Sequence, residues 1–401
     1  MGLGLLLPLL LYLPGAGGFP YPSLEDQFSD MTITHYPYAL YLQRAVWNGQ
    51  GFLWSPAILS GGPFFANPLS GAAYPPGWAA LLLPLPLGLN LLAAAHLVWG
   101  GLGLYRLLRA EGLGRPAALW GGLAFAALPK LAAHFGAGHL TLLYAVPWTP
   151  WLLYAARRSA PGRPGGGEAL CLAMACLADP RWGALAGLVW LGWRLALDYE
   201  RRSTLPPGWG RLRPLGRLLE QAALAGLLAA PLLLPLLELA QRSTRSQMSA
   251  ADNLTFALPP GQLLGLLFPD LGGFHEYMLY PGQMALLLVV LGAAGGLGGR
   301  VKWRWAALAG LGLLLALEPA GPFYARLARL PLVDLLRVPS RWLFAVGLGL
   351  AAFSAHALDG LLRGEALRPA GRLSAAGLLA FSLALSGGVM LVSGTFAAPF
   401  A

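Results

Sequence analysis

Long apolar runs alternate with short polar stretches along the whole chain. The apolar segments cover residues 3–19, 79–105, 117–134, 139–156, 169–178, 183–198, 218–240, 283–299, 305–317, 342–360 and 373–393. About 20 apolar residues in a helix cross roughly 30 Å of hydrocarbon. Most of these runs come near that length, while 169–178 and 305–317 need adjoining polar residues to complete a crossing. The pattern predicts an all-α polytopic membrane protein with about eleven transmembrane helices. The chain 1–401 reads as a single transmembrane domain without internal repeats. The first segment has a second reading as a cleaved signal peptide, since Leu3–Leu13 is a short apolar region followed by small residues at Gly15–Gly18. No basic residue precedes it, which favours a retained span.

Composition agrees with the pattern. The chain is 57% hydrophobic and 11% charged, against about 25% charged residues in soluble domains. A net charge of +10 raises the question of nucleic acid, but the position of the charge answers it. Basic clusters sit between apolar runs at Arg106, Arg109 and Arg115, at Arg157, Arg158 and Arg163, and through Arg201–Arg217. Two more lie at Arg300, Lys302 and Arg304, and at Arg363, Arg368 and Arg372. Each pair of clusters is separated by enough apolar chain for two crossings, as the positive-inside rule requires. The charge therefore reports topology, with membrane lipids as partners and no nucleic acid. The amino terminus falls in the cytoplasm, and 20–77, 241–282 and 318–341 become extracytoplasmic loops.

The first of these loops is too long to be a simple connection. Its aromatic residues, including Tyr36, Tyr38, Tyr41, Trp47, Trp54, Phe64 and Tyr74, argue for folded structure. Tyr38, Tyr41, Leu42, Ala45 and Val46 recur at helical spacing, with Gln43, Arg44 and Asn48 opposite and Pro37 at a first helical position. That spacing predicts an amphipathic interfacial helix. An acidic group, Glu25, Asp26 and Asp30, lies upstream of it.

The runs Ser29-Asp30-Met31, His35-Tyr36-Pro37, Trp54-Ser55-Pro56, Gly61-Gly62-Pro63, Ala66-Asn67-Pro68 and Tyr74-Pro75 resemble the first outer loop of YfhO-like bacterial membrane proteins. These belong to the GT-C class of glycosyltransferases dependent on polyprenyl-phosphate sugars. Gly138-His139 before Pro147-Trp148-Thr149-Pro150, Phe268–Gly272 before Tyr280-Pro281-Gly282, and Leu336–Trp342 are similar as well. The resemblance implies a GT-C-like fold in the bacterial cytoplasmic membrane. It also implies sugar transfer from a polyprenyl-phosphate donor to a lipid, polymer or protein acceptor at the extracytoplasmic face.

On that reading an acid of the first outer loop serves as general base, and cations stabilise the leaving phosphate. Asp30 is the candidate base, with His35, Asp26 and Glu25 as further candidates for catalysis or acceptor orientation. Arg337 and Arg341, four residues apart, share a face if the chain is helical there, and are the candidate lipid-phosphate ligands. His139, Asp270, His275, Tyr36 and Trp54 are candidates for lining the cavity, with Glu276 beside His275. A divalent cation, if one is used, is expected at Asp26 and Asp30.

Each residue also has a plainer role. Asp30 caps a helix beginning at Met31; Glu25 and Asp26 are solvated; Arg337 and Arg341 anchor at headgroups. His35 and His139 are structural, and the loop aromatics form an interfacial belt. Lys130, within an apolar run beside Pro129, snorkels to the interface, and Cys171 and Cys176 are small buried hydrophobes. Two other functions remain open: a transporter or flippase of a lipid-linked glycan, with Pro231 and Pro235 breaking a span near Glu238, and a catalytically silent scaffold.

Overall fold

In the computed structural model the described residues are 29–57, 60–159, 166–201, 213–243, 254–268, 274–327 and 337–380. The 3–19 segment, with its two readings, lies outside them, as do Glu25, Asp26 and Asp270. The described chain is helical, with two isolated backbone bridges and no strand. After a π-helical turn, Met31–His35, the helices are α1 (Tyr36–Trp47), α2 (Leu85–Ala110), α3 (Arg115–Ala126), α4 (Pro129–Gly136), α5 (Leu140–Ala145) and α6 (Trp148–Arg158). They continue as α7 (Gly167–Ala178), α8 (Pro180–Arg201), α9 (Arg213–Gln241), α10 (Gln283–Gly295), α11 (Lys302–Ala316), α12 (Gly321–Leu327) and α13 (Leu343–Leu362).

Among the described residues, four stretches are helical, long and apolar enough to cross a membrane: Leu85–Ala110, Arg115–Gly136, Pro214–Gln241 and Pro339–Leu362. The protein is thus a helical membrane protein; the expected total of about eleven crossings is larger than these four. Two expected spans are interrupted. The run 117–134 becomes α3 and α4, broken where Leu128 precedes Pro129, because the residue before proline disfavours helical backbone. The run 139–156 becomes α5 and α6, parted at Val146-Pro147. The opposite holds at 231–235, where α9 continues through both prolines. A break there, the sequence feature behind the transporter reading, is therefore not formed.

The core is organised around α13, which is buried on nearly every side from Leu343 to Ala357. A helix apolar all round belongs in a core, and α13 packs against α3, α10 and α11. Glycines let backbones meet closely at α2 and α3. A Cβ on Gly101 would lie 2.8 Å from the Gly122 carbonyl, and one on Gly122 would lie 2.6 Å from that of Gly101. Such contacts supply the dispersion that holds helices together where lipid is as apolar as leucine. By contrast α9 is largely unburied within the protein.

The helix predicted in the first loop exists as α1. Tyr38 and Tyr41 turn their rings edge-on to Phe64, and the Tyr41 hydroxyl donates to the Trp54 carbonyl at 2.8 Å. The face assignment needs one correction. Gln43, expected among the polar residues, is buried, and its amide donates to the carbonyls of Leu81 (2.8 Å) and Leu83 (3.1 Å). Those carbonyls lie at the end of a 3₁₀ segment, Pro75–Leu82, where helical backbone leaves acceptors without partners.

Candidate functional site

Asp30 stands at the N-cap position of the π-helical turn, but it does not cap. Its backbone is already helical, and Ser29, one residue earlier, makes the local bonds, accepting from the Thr32 hydroxyl at its carbonyl (2.9 Å). The Asp30 carboxylate is instead directed to His139 Nε2 at 3.1 Å. Gly138 makes this approach feasible. It takes φ +84°, and a Cβ there would fall 2.3 Å from the Met31 backbone nitrogen. Only glycine meets both demands without strain. The hydrogen bond from His139 holds the Asp30 carboxyl below its ordinary range, despite partial burial.

Behind His139 lies a buried group of ionisable residues. His139 Nδ1 is 2.9 Å from His134 Nδ1, and His134 Nε2 is 3.4 Å from Glu276 Oε2. His275, on the 3₁₀ turn His275–Tyr277, sets its ring edge-on to both His134 and His139, at 5.1 and 4.7 Å between centroids. Lys130 donates to the Glu276 carbonyl at 2.8 Å and lies 3.9 Å from its carboxylate. Arg341 Nε approaches the other carboxylate oxygen, Oε1, at 3.5 Å, and the Ser340 hydroxyl donates to Oε2 at 3.4 Å. Burial pushes the Glu276 carboxyl up, yet Lys130 and Arg341 outweigh it and hold the group below its usual range. Burial lowers both His35 and His275 to about 4.

A second acid–base pair adjoins this group. Asp179 precedes Pro180 and caps α8, accepting from the backbone N–H of Arg181 (3.0 Å) and Trp182 (3.3 Å). Its second oxygen accepts from Thr141 (2.9 Å), and the Arg181 guanidinium clasps both oxygens. Burial raises the Asp179 carboxyl, but Arg181 and these hydrogen bonds bring it well below the usual range. The Arg181 charge also acts on Asp30. Beside His35 and Thr141 opens an apolar cleft of about 530 Å³, counted with the solvent at its mouth, whose walls include Leu42, Tyr74, Leu140 and Tyr144.

Several expectations change. Arg337 and Arg341 do not share a helical face, because Val338 takes φ +63° and the α-helix begins only at Leu343. Arg341 is no headgroup anchor, being buried against Glu276, and Arg337 is half-buried. Lys130 does not snorkel: at 2% exposed it is held inside by Glu276. His139 is not isolated but is one of three grouped histidines. Trp54 stays largely exposed in the loop, with its indole over Gly61, and Tyr36 is half-buried at the start of α1. His134, Asp179 and Arg181 were missed. Two signals point to them: Lys130 and His134 at i,i+4 after a helix-starting proline, and Asp179-Pro180, an N-cap followed by an N1 proline.

Fold and site together define a helical membrane protein in which Asp30, just ahead of α1, meets ionisable residues at helix breaks. The chain resembles the cryo-EM structure of the arabinofuranosyltransferase AftD from Mycobacteria, with a TM-score of 0.55 and 20% identity over 97% of this chain. The likeness covers 26% of that protein, so the chain spans about a quarter of its length. At this identity the likeness is one of fold. No protein-family model matches the chain, and no curated protein does.

Proposed function

We propose that the chain is a GT-C-type glycosyltransferase, of the YfhO-like kind, that moves a sugar from a polyprenyl-phosphate donor to a lipid, polymer or protein acceptor at the extracytoplasmic face. The observation that carries this reading is Asp30, a half-exposed carboxylate held by His139 and acted on by the Arg181 charge, with His35 of the same turn lining an apolar cleft. An ionised carboxylate within reach of an acceptor hydroxyl serves as general base. Arg181 supplies charge for the departing phosphate, while the cleft suits the apolar part of the donor. Arg341 contributes its charge from behind Glu276, and Arg337 remains a candidate phosphate ligand at the edge of the site. The AftD likeness makes a pentofuranosyl donor the first to assay.

The direct test is sugar transfer by purified, folded Asp30→Asn, which keeps the shape and loses the base. A fall of about 10²–10⁴-fold is expected; full activity rejects Asp30 as the base. Topology is tested by impermeant thiol labelling in a cysteine-free background. Ser60→Cys is expected to react in intact cells and Arg363→Cys to be protected.

A transporter draws on a separate observation, the interruptions at 127–129 and 137–139 lined by Lys130, His134 and His139. Movement of labelled lipid-linked glycan across vesicles without sugar transfer favours that reading.

A further inference from the structure

Proton counting exposes a deficit in the buried group. Three contacts run in series: Asp30 Oδ2 to His139 Nε2, His139 Nδ1 to His134 Nδ1, and His134 Nε2 to Glu276 Oε2. Each contact needs a proton or another cation between two acceptor atoms. Two neutral imidazoles carry one N–H each, so they satisfy two contacts of the three. If those protons serve the first two contacts, His134 Nε2 points its lone pair at a carboxylate; this nitrogen is buried and has no hydrogen-bond partner. Placing the proton on His134 Nε2 moves the same conflict to another contact. With both imidazoles neutral, the arrangement is one positive charge short.

We propose that this charge is a transition-metal ion, Zn²⁺, bound by His134, His139, His275 and Glu276. One donor atom from each of the four lies within 4.8 Å of the others. Metal bonds of about 2.0–2.1 Å in a tetrahedron set ligand atoms about 3.3 Å apart, so the widest separation must close by about 1.5 Å. His139 and His275 are only partly buried and sit on a break and a short turn, where side chains can make that shift. Three imidazoles and one carboxylate suit zinc, whereas magnesium and calcium prefer oxygen alone. Asp30 on His139 Nε2 then becomes the carboxylate that orients a ligating imidazole and raises its basicity. Lys130 and Arg341 stand beside Glu276 and repel a dication, which makes binding weaker than at a closed structural zinc site. The ligand set differs from the Asp26–Asp30 pair expected from the sequence.

The test uses tag-free, chelator-treated full-length protein in detergent, titrated with ZnCl₂ by calorimetry and with Co²⁺ by visible absorption. The expected result is one ion per chain with a tetrahedral Co²⁺ spectrum. Affinity should drop at least about tenfold in His134→Gln and His275→Asn, and stay unchanged in His356→Gln, far from the group. Absence of stoichiometric binding overturns the proposal, as does equal affinity in wild type and both ligand variants. Should His134→Gln fail to fold, His275→Asn on the outer turn and the Co²⁺ spectrum decide. The readout contains no sugar donor, so its outcome is independent of whether the protein transfers sugar.

Discussion

Two knots of histidine, carboxylate and cation sit near opposite ends of α13, and they are built differently. At the far end His356 Nε2 meets Glu111 Oε2 at 2.9 Å, Trp305 donates to the same oxygen at 3.0 Å, and Arg304 bridges Glu111 and Glu200. From Arg341 to His356 the helix rises roughly 20 Å, so the knots are separate. Every residue of the Glu111 knot lies on or at the end of a regular helix, and a carboxylate acceptor meets an indole donor and a cation. The Asp30–Glu276 knot is held by interruptions: a π turn, the left-handed Gly138, the break before Pro129 and the left-handed Val338. It leaves the buried His134 Nε2 without a hydrogen-bond partner and is half open at Asp30. The first knot fastens helices together; the second holds polar groups in a geometry that regular helices do not offer, at the cost of backbone strain of the kind found at functional sites.

The comparison breaks most directly in paired charge removals. Asp30→Asn is expected to reduce sugar transfer about 10²–10⁴-fold with little change in melting temperature. Glu111→Gln should do the reverse, keeping transfer within a few-fold while lowering stability by about 1–3 kcal/mol. Comparable losses of activity in the two would erase the distinction. Gly138→Ala tests whether the backbone break positions Asp30. The added methyl collides with Met31, so transfer is expected to fall at least about tenfold, with roughly 2–4 kcal/mol lost from stability by thermal melting. An unaffected variant would show that Asp30 does not depend on this approach.

A smaller effect concerns His35, buried beneath the loop. Its folded value of about 4 lies below the ordinary 6.5. Between these two values the unfolded chain binds a proton that the folded chain refuses, so stability falls as pH drops from 6.5 toward 4. His35→Gln should flatten that part of the melting profile by up to about 3 kcal/mol; an unchanged slope would mean that His35 is not buried neutral.

Much of the fold was legible because membrane burial writes itself into composition. Apolar runs located α2, α9 and α13, and the spacing of Tyr38, Tyr41, Leu42 and Ala45 located α1. Helix interruptions were harder to see. Pro129 breaks a run and Pro231 does not, although both lie in apolar surroundings, since neighbouring helices decide whether freed backbone groups find partners. The same limit applied to Gln43, whose acceptors are 38 and 40 residues away in sequence.

The site divides along the same line. Asp30, His139, His275 and Arg341 stood out in the sequence as polar residues in short Gly- and Pro-rich motifs. Arg341's partner was beyond reach, because Glu276 lies 65 positions earlier and meets it only through the packing of its 3₁₀ turn on the turn Pro339–Trp342 that precedes α13. His134 and Lys130 were concealed within an apolar run, where a lone basic residue reads as a snorkelling side chain until a buried carboxylate appears beside it. By itself the sequence determined that this is a helical membrane protein and where its main apolar helices run, because hydrophobic length is a local property. Tertiary structure alone decided that Asp30 leaves its capping role for His139 and that three histidines converge on Glu276. Those contacts depend on where separate segments stop, and each stop is set by its neighbours.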